Sequence, residues 1–449
     1  MKKFIFVVAL ILSCHLGQSQ FVRMPLNYPQ DTTDYSPNVM SVVDQNSVWI
    51  ATEKQDPSTY YYMPFSQALK TNDGGNTWHF FTIPAEGTPI LLDVEAYSDS
   101  ICYYFVDDYN TGHSDIWKTV DAGSSWSKKT TSQYPTFGDF IHLFSKDTLI
   151  AVGDPAGGYF NIQITTDGGE TWNRVPQSNM PASLNNEWGL AGKSYSAVGN
   201  TIWFGTSYGR CFKSTDKGYN WIVYDVDNNF TFKASYVCFS DQQHGIFYCI
   251  DSISIKYYRT FDGGDTWTYF PILQNLFFPG ISSVGGIFEG FVAAAFDPAS
   301  GIYSKIYYTN DFFNTLTLLD SVIYSSNFIY FKDSNTGWLS GLWRPDSNIY
   351  KFTDVLTSIK NKPIVQGNLV ITPNPTSQSS LLTFPSEFLS ERKILKVFTV
   401  SGKLMKEYTL TENVKRIELN AAGYSNGVYI IELISNTGLN KIKRWVVIH

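Results

Sequence analysis

The sequence predicts an all-β protein of two domains, and three observations carry this prediction. Apolar residues make up 43% and aromatic residues 16% of the 449 residues, whereas charged residues reach only 16%, against about 25% in an average soluble domain. A turn motif recurs at regular spacing through most of the chain, and the last part differs in charge and texture. This composition excludes a disordered acidic chain, a coiled coil and a basic nucleic-acid binder.

The first segment, residues 1–19, has the pattern of a secretory signal peptide. Two lysines form the basic start, residues 4–12 the apolar stretch, and residues 17–19 a small-x-small cleavage site. The apolar stretch is too short to span a bilayer, and no other stretch approaches the roughly 18 apolar residues of a membrane span. The alternative is a lipoprotein signal that ends before Cys14. We therefore expect an exported protein without a membrane span.

The remaining chain carries its charge unevenly. Residues 20–355 hold 19 Lys and Arg against 34 Asp and Glu, a net charge of −15, whereas residues 356–449 hold 12 against 6, a net charge of +6. This difference indicates two domains with separate roles. The negative charge of the first domain argues against nucleic acid or anionic lipid as its partner.

An eight-residue motif, Ser/Thr-x-Asp-x-Gly-x-x-Trp, occurs five times without gaps. Its aspartates and tryptophans are Asp73 and Trp78, Asp121 and Trp126, Asp167 and Trp172, Asp216 and Trp221, and Asp262 and Trp267. A degenerate sixth copy keeps Asp311, and a seventh keeps only Asp354. Successive aspartates are 43 to 49 residues apart, a period that fits a repeat of four strands.

Each copy of the motif lies between two strand-like segments, so the motif predicts the turn of a β-hairpin. The Ser/Thr hydroxyl and the Asp carboxylate can accept hydrogen bonds from backbone N–H groups inside the turn. Glycine supplies the positive φ that such a turn needs, and the tryptophan can pack under a neighbouring repeat. Every residue of the motif therefore has a structural role.

The motif resembles the Asp-box, or BNR repeat, of sialidase-like β-propellers. The resemblance and the seven units together imply a seven-bladed β-propeller over residues 20–357. In such a fold the radial repetition of the blades protects the sheet edges. Residues 21–26 are expected to close the ring by pairing with the last blade. Residues 152–158 and 203–206 look similar to the photosystem II assembly-factor type of propeller.

A polar, Pro-containing linker at residues 358–367 precedes a predicted small Ig-like β-sandwich at residues 368–449. Its "NP" segment, "SG" turn, "GVY" strand and basic terminal strand resemble the type A C-terminal sorting domain of the type IX secretion system. The resemblance implies that the type IX machinery is a partner and that it reads the strand with Lys441, Lys443 and Arg444. It also implies passage through the periplasm of a Gram-negative bacterium, to the medium or the outer-membrane surface. A plain accessory sandwich is the alternative.

The candidate ligand-binding residues lie in loops beyond the box hairpins: Asp154, Glu187, Trp188 and Arg210. Trp188 and Trp343 are the tryptophans most available to stack on a ligand, because the others are largely assigned to the repeats and the tail. The leading interpretation is a binding or scaffold module for an extracellular glycan or protein, without a cofactor.

A propeller glycoside hydrolase, sialidase-like or polysaccharide-degrading, is the alternative function. A glycosidase needs two carboxylates that flank the scissile bond, and the acids outside the boxes include Asp93, Glu95, Asp154, Glu187 and Glu289. The resemblance to sialidases further implies an arginine cluster, a Tyr/Glu nucleophile pair and an acid Asp. The first domain holds only five arginines, so three converging arginines are hard to assemble.

Neither a metal site nor a cofactor is predicted. The box lacks the ligand spacing of a calcium loop, and the six histidines are scattered. Cys238 and Cys249 flank the turn at residues 241–245 and are expected to face each other across a hairpin. An exported protein can hold a cross-strand disulfide at such a place; two separate core residues are the alternative.

Overall fold

The computed structural model describes residues 20–26, 35–55, 62–63, 65–130, 137–227, 234–251, 255–270, 277–287, 289–296, 303–323, 328–340, 349–356, 369–384, 388, 392–399, 403–435 and 440–449. The predicted signal peptide, the predicted linker and Trp343 lie outside these residues. The chain divides into two compact units, Met1–Ser358 and Ile359–His449.

The described residues of the first unit lie mainly in β-strands, and a short 3-10 helix is formed by Gln177–Asn179. The strands are, in chain order, β1 (Phe21–Met24), β2 (Tyr35–Val42), β3 (Val48–Gln55), β4 (Tyr62–Met63), β5 (Gln67–Thr71), β6 (His79–Thr82), β7 (Pro89–Ala96), β8 (Cys102–Asp108), β9 (His113–Thr119), β10 (Ser127–Lys128), β11 (Gly138–Leu143), β12 (Leu149–Pro155), β13 (Phe160–Thr165), β14 (Asn173–Arg174), β15 (Tyr195–Val198), β16 (Thr201–Gly205), β17 (Arg210–Ser214), β18 (Ile222–Asp225), β19 (Ala234–Phe239), β20 (Gly245–Ile250), β21 (Ile255–Thr260), β22 (Thr268–Phe270), β23 (Phe277–Ser283), β24 (Phe291–Phe296), β25 (Tyr303–Thr309), β26 (Thr317–Ile323), β27 (Phe328–Phe331), β28 (Gly337–Ser340) and β29 (Ile349–Phe352).

These strands form seven antiparallel blades. Blade 1 is β2-β3-β5-β6 with β4 paired to β3, and blades 2 to 6 are β7 to β10, β11 to β14, β15 to β18, β19 to β22 and β23 to β26. Blade 7 is β27-β28-β29 followed by β1. Contacts between first strands, such as β2 with β7 and β2 with β27, place these strands around a central channel. The predicted seven-bladed β-propeller is confirmed.

The N-terminal strand closes the ring, as the sequence predicts. β1 is the outermost strand of blade 7 and pairs antiparallel with β29, Phe21 opposite Phe352. The Phe21 side chain is 3% exposed, and its ring contacts those of Phe331 and Phe352 at centroid distances of 6.2 and 5.3 Å. The first and last segments of the propeller are therefore held in one sheet.

The motif turns share one hydrogen-bond pattern, and we call them the box turns. In the first, Thr71 Oγ1 donates to Asp73 Oδ1 (2.9 Å) and accepts from Gly75 N (2.8 Å). Asp73 Oδ1 and Oδ2 then accept from Thr77 N (2.9 Å) and Thr77 Oγ1 (2.7 Å). Corresponding bonds occur in the turns at Asp121, Asp167, Asp216, Asp262 and Asp311.

The sixth box turn keeps this geometry without glycine. Phe312 and Phe313 occupy the two positions of positive φ, at +60° and +63°, which is unfavourable for bulky residues. Both side chains are almost fully buried in the core shared by blades 5 and 6. Apolar burial offsets the backbone strain, so a turn that looks degenerate in sequence is intact in structure.

Side chains from the box hairpins hold neighbouring blades together. Trp126 of blade 2 stacks on Phe81 of blade 1, with ring centroids 5.4 Å apart. Third strands carry cations that reach the next blade: Lys70 Nζ lies 2.8 Å from Asp99 Oδ1, and Lys213 Nζ lies 2.6 Å from Asp265 Oδ1. These contacts explain why the motif lies at the blade boundaries.

The second unit is a small β-sandwich. Its strands are β30 (Val370–Thr372), β31 (Ser379–Thr383), β32 (Lys393–Thr399), β33 (Leu404–Leu410), β34 (Arg416–Asn420), β35 (Gly427–Ser435) and β36 (Asn440–Val447). They form the sheets β30-β31-β34 and β33-β32-β35-β36, which share one core containing Leu382, Leu395 and Trp445. The basic strand is the edge strand β36, where Lys441, Lys443 and Arg444 pair with Leu433, Ile431 and Ile430.

The structure corrects the expected pairing of Cys238 and Cys249, which are both free. In the β19–β20 hairpin Cys238 lies opposite Ile246, and Cys249 lies opposite Ser235. Residues 235 and 238 point to opposite faces of a strand, and the two cysteines accordingly pack in different hydrophobic clusters. The turn is centred closer to Cys238 than the sequence symmetry suggests, so a cross-strand disulfide is not compatible with this register.

Candidate functional site

The four candidate ligand-binding residues lie at the end of the propeller opposite the box turns. Each box turn joins the third and fourth strands of a blade, so the opposite end carries the loops between second and third strands and the connections between blades. Asp154 is the second-last residue of β12, and Glu187 and Trp188 lie in the connection from β14 to β15. Arg210 begins β17. The structure therefore collects the four residues on blades 3 and 4.

Glu187 and Arg210 form a buried ion pair. Arg210 Nε donates to Glu187 Oε1 at 3.0 Å. Glu187 is 4% exposed and Arg210 is 7% exposed. Thr206 Oγ1 donates to the same carboxylate at 2.6 Å, and Arg210 Nη2 donates to Ala182 O at 3.0 Å. Because buried charges must be paired and hydrogen-bonded, these contacts fix the connection between blades 3 and 4. Ligand binding by either residue stays a prediction.

Asp154 holds the same connection through a glycine. Its Oδ1 accepts from Gly189 N at 3.0 Å, and burial raises the pKa of Asp154 to about 6. Asp139 lies on the other side of Gly189, and no described residue hydrogen-bonds to either oxygen of its carboxyl group. Burial and the adjacent Asp154 raise the pKa of Asp139 well above its usual range. Asp139 therefore binds a proton more readily than an exposed aspartate does.

Substituting Gly189 should destabilise this connection. A Cβ at position 189 would lie 2.0 Å from Asp139 Oδ2, so we expect Gly189→Ala to cost about 1–3 kcal/mol, as overpacking does. Asp139→Ala should remove the clash, so the double variant should be less destabilised than the sum of the single variants. Chemical denaturation of the four proteins measures the coupling, and strict additivity would contradict the predicted contact.

Trp188 is the most accessible of the four candidates, at 39% exposure. Its backbone is fixed by two 3.0 Å hydrogen bonds, from Trp188 N to Ser207 Oγ and from Ser207 N to Trp188 O. The indole is thus presented on a rigid loop beside the buried acids.

A cavity of about 790 Å³ occupies the central channel. Its wall comes from the first strands of all seven blades and from a few residues beyond them, including Glu53, Tyr109 and Phe137. Tyr109 and Phe137 are 57% and 37% exposed and belong to the end of the propeller that carries Trp188. Burial raises the pKa of Glu53 to about 7, which allows this carboxyl to donate a proton at neutral pH.

One wall of the cavity, formed by blades 2 to 4, is polar. Lys193 Nζ contacts both Glu95 Oε1 and Asp93 Oδ1, the latter at 3.2 Å. The Tyr195 hydroxyl lies 2.8 Å from Glu95 Oε1 and 2.9 Å from Ile141 O. We call Glu95, His142, Lys193 and Tyr195 the polar wall; the fully buried Asp93 does not line the cavity but supports the wall through Lys193.

Lys193 offsets one of the two negative charges that Asp93 and Glu95 can carry. Burial raises the pKa of Asp93 to about 6, against the opposing effect of Lys193. Burial would also raise the pKa of Glu95, but Lys193, His142 and hydrogen bonds from Lys193 and Tyr195 lower it below its usual value. Burial lowers the pKa of His142 to about 4, so this imidazole is neutral at pH 7.

The opposite wall, formed by blades 5 to 7, is mainly aromatic and aliphatic. Tyr236, Ile250, Ile281 and Tyr330 line it. Tyr236 is held against Tyr248 by ring stacking, with centroids 5.1 Å apart and planes inclined by 17°. The cavity thus has one hydrogen-bonding side and one apolar side.

Sequence reasoning found the two carboxylates Asp93 and Glu95 but missed Lys193, Tyr195 and His142. A usable signal was present: Asp93-x-Glu95 and Lys193-x-Tyr195 both have the two-residue spacing that places side chains on one face of a strand. Their proximity across three blades depends on the curvature of the ring, which no local pattern encodes.

The described arginines do not line the cavity. Arg174 lies over the Tyr159 ring at 4.1 Å, and Arg259 lies between Phe261 and Phe270. No arginine is among the described residues that line the cavity, and Arg344 lies outside the described ranges. The arginine cluster implied by the sialidase resemblance is therefore not formed by the part of the chain that the structure describes.

The described residues contain neither a candidate metal site nor a candidate membrane-spanning helix. They contain no group of three or more His, Cys, Asp or Glu side chains arranged to hold a metal ion. Among the same residues, no helix has the length and apolar character that crossing a membrane requires.

Both units are similar to known proteins. Residues 370–448 match the family described as "Secretion system C-terminal sorting domain". No curated protein sequence matches the chain.

Two solved propellers are similar to the chain in fold. YCF48 bound to D1 peptide has a TM-score of 0.53 at 14% identity, covering 76% of this chain and 98% of that chain. YCF48 from Cyanidioschyzon merolae has a TM-score of 0.51 at 14% identity, covering 74% and 98%. A sialidase from Trypanosoma rangeli aligns more loosely, with a TM-score of 0.47 at 10% identity, covering 95% of this chain and 88% of that chain. The chain is therefore a β-propeller followed by a type IX secretion system C-terminal sorting domain.

Proposed function

We propose that this protein is exported by the type IX secretion system and that its propeller binds an extracellular glycan or protein in the central cavity. The binding part of this proposal is supported by the cavity of about 790 Å³, which has one polar wall and one mainly apolar wall. Ligand pockets typically enclose about 300–1,000 Å³ and combine apolar surface with a few fixed polar groups. The secreted or surface location follows from the role of the sorting tail, which the match at residues 370–448 supports.

A binding role agrees with the chemistry of the polar wall. Lys193 joins the carboxylates of Asp93 and Glu95 in one ion-paired cluster, which gives a ligand a fixed polar surface. YCF48 has been solved with D1 peptide bound to it, so a propeller of similar fold can serve as a binding module.

A specific contact supports the glycoside hydrolase as a second candidate. The Tyr195 hydroxyl hydrogen-bonds to Glu95, as a Tyr/Glu nucleophile pair would, and Glu53 has the raised pKa of a general acid. Against it, burial and the Glu95 and Asp93 carboxylates raise the pKa of Tyr195 well above its usual value. A phenol with a raised pKa is a poorer nucleophile at neutral pH.

Export is tested by reversing the charge of Lys441, Lys443 and Arg444 to Glu. The type IX machinery is proposed to read this edge strand, so the variant should accumulate in the periplasm. Lys403, Lys406 and Lys415, all exposed, provide the control, because their reversal changes the tail's charge equally. Cell fractionation with immunoblotting reports the location, and equal export of both variants would refute the assigned signal.

Binding is tested on glycan and peptide arrays with the wild-type protein and two variants. Ala197 lines the cavity, so Ala197→Trp should narrow it and abolish binding. Val120→Trp changes a side chain that is 62% exposed and outside the cavity, and should leave binding intact. Binding that survives Ala197→Trp would show that the ligand site lies elsewhere.

A further inference from the structure

We propose that the ligand of the central cavity is a neutral saccharide, bound with its hydroxyl groups on the polar wall and a ring face on the opposite aromatic wall. This inference rests on the proposed function and names the ligand class for the same cavity.

The polar wall mainly offers acceptors. The Lys193 ammonium is surrounded by four acceptors, namely Val94 O at 3.1 Å, the Tyr195 hydroxyl at 3.3 Å, Asp93 and Glu95. Its donor capacity is therefore used inside the wall. Glu95 Oε2, by contrast, receives no hydrogen bond from a described residue, because Lys193 and Tyr195 both bind Oε1.

A second polar atom is open at the same wall. His142 Nδ1 lies 3.4 Å from the Tyr195 hydroxyl, while Nε2 has no hydrogen-bond partner among the described residues. As a neutral imidazole, His142 can donate or accept at Nε2, depending on its tautomer. A ligand hydroxyl can donate to Glu95 Oε2 and exchange a second hydrogen bond with His142.

This donor and acceptor pattern favours a polyhydroxylated ligand over a peptide backbone. Peptide recognition needs donors for carbonyl groups as well as acceptors for N–H groups. The ammonium of Lys193 is already occupied, so the wall is short of donors. Sugar hydroxyls both donate and accept, and they match Glu95 and His142 without a further donor from the protein.

The opposite wall suits the apolar face of a sugar ring. Tyr236, Ile250, Ile281 and Tyr330 are only partly buried and line the cavity. Stacking on Tyr248 fixes the Tyr236 ring, so a ligand can pack on it with little loss of side-chain entropy. Pyranoses present one side of C–H groups and a periphery of hydroxyls, which corresponds to these two walls.

Charge distinguishes neutral from acidic sugars. Lys193 and Lys332 are the cations that line the cavity in the described residues. Lys193 is bound by two carboxylates, and Lys332 Nζ donates to Val43 O. A ligand carboxylate bound at the polar wall would lie next to Glu95, while the Lys193 ammonium is already bound by two carboxylates, so its binding there costs desolvation energy.

The test measures binding of matched neutral and acidic saccharides to the full secreted chain by isothermal titration calorimetry. In each pair the first saccharide is neutral and the second is acidic. Lactose is compared with sialyllactose, and galactan-derived hexasaccharides are compared with galacturonan-derived hexasaccharides. A panel of neutral hexasaccharides of glucose, mannose and xylose is measured beside them. A peptide array runs in parallel. His142→Ala and Tyr236→Ala change the two walls. Tyr97→Ala is the control, because Tyr97 is 50% exposed and is not among the residues that line the cavity.

We expect a neutral saccharide to bind and its acidic counterpart to bind at least tenfold more weakly. Tyr236→Ala and His142→Ala should each weaken binding about tenfold, while Tyr97→Ala leaves it unchanged. Preference for an acidic saccharide, or neutral binding that is indifferent to both wall variants, would overturn the inference. Peptide binding blocked by Ala197→Trp would overturn it but keep the proposed function. No cavity-dependent ligand of either class would overturn both.

Discussion

Phe21→Asp should open the propeller ring. The Phe21 side chain is buried at the junction of the first and last segments, against Phe331 and Phe352. Loss of a buried phenylalanine typically costs about 3–5 kcal/mol, and a carboxylate placed there adds a desolvation cost. Because β1 is the outermost strand of blade 7, its release exposes the edge of β29.

The adjacent residue provides a matched control. Val22 lies in the same strand but is 44% exposed, so Val22→Asp introduces the same charge without removing a core contact. We expect Phe21→Asp to lower the melting temperature by about 8 °C or more and to expose blade 7 to limited proteolysis, whereas Val22→Asp changes little. Equal behaviour of the two variants would show that β1 does not hold the ring closed.

The propeller should be most stable in mildly acidic solution, between about pH 4 and 6. Several buried carboxyls carry raised pKa values: Glu53 to about 7, and Asp93, Asp107 and Asp154 to about 6. Their folded-state pKa lies above the unfolded value near 4, so the folded protein takes up protons first as the pH falls. Stability therefore rises as the pH falls from about 8 to 5.

The box turns have the opposite effect at lower pH. Hydrogen bonds from Thr77 and Thr71 lower the pKa of Asp73 to about 2, and similar bonds lower the pKa of Asp121. A depressed folded-state pKa contributes stability that is complete above the unfolded value and is lost as the pH falls through the folded value. Stability should therefore decline below about pH 4, as the box carboxylates are protonated.

Thermal denaturation between pH 2 and 8 measures this profile. Each unit of pKa difference corresponds to about 1.4 kcal/mol, so the melting temperature should rise by about 5 °C from pH 8 to 5. Asp154→Asn should flatten the upper arm, because one of the buried acids is then neutral at every pH. Asp73→Asn should instead reduce the loss below pH 4. A profile that rises steadily from pH 4 to 8 would contradict the pKa directions.

Local chemistry explains how much of the fold could be predicted. Each box turn is closed by hydrogen bonds within a few successive residues, as between Thr71, Asp73 and Thr77, so the motif identifies its own structure. The repeat count then gives the blades, and the strand left over at the N-terminus completes the last one. Even the sixth turn keeps the pattern through Thr309 and Asp311.

The rest depends on geometry that short sequence patterns do not encode. The disulfide prediction was wrong because Cys238 and Cys249 lie opposite Ile246 and Ser235 rather than each other. The polar wall joins Glu95 to Lys193 and Tyr195, about a hundred residues later, and only the ring brings them together. Glu187 and Arg210 were predicted as ligand-binding residues, and the structure pairs them with each other.

We infer that the cavity holds its ligand without cleaving it. The most direct measurement is mass spectrometry of an oligosaccharide that the arrays identify, after prolonged incubation with wild-type protein and with Glu95→Gln. We predict that the oligosaccharide is recovered intact from the wild-type protein and that binding is blocked by Ala197→Trp. Shortened products from the wild-type protein that disappear with Glu95→Gln would contradict this claim and establish the propeller as a hydrolase.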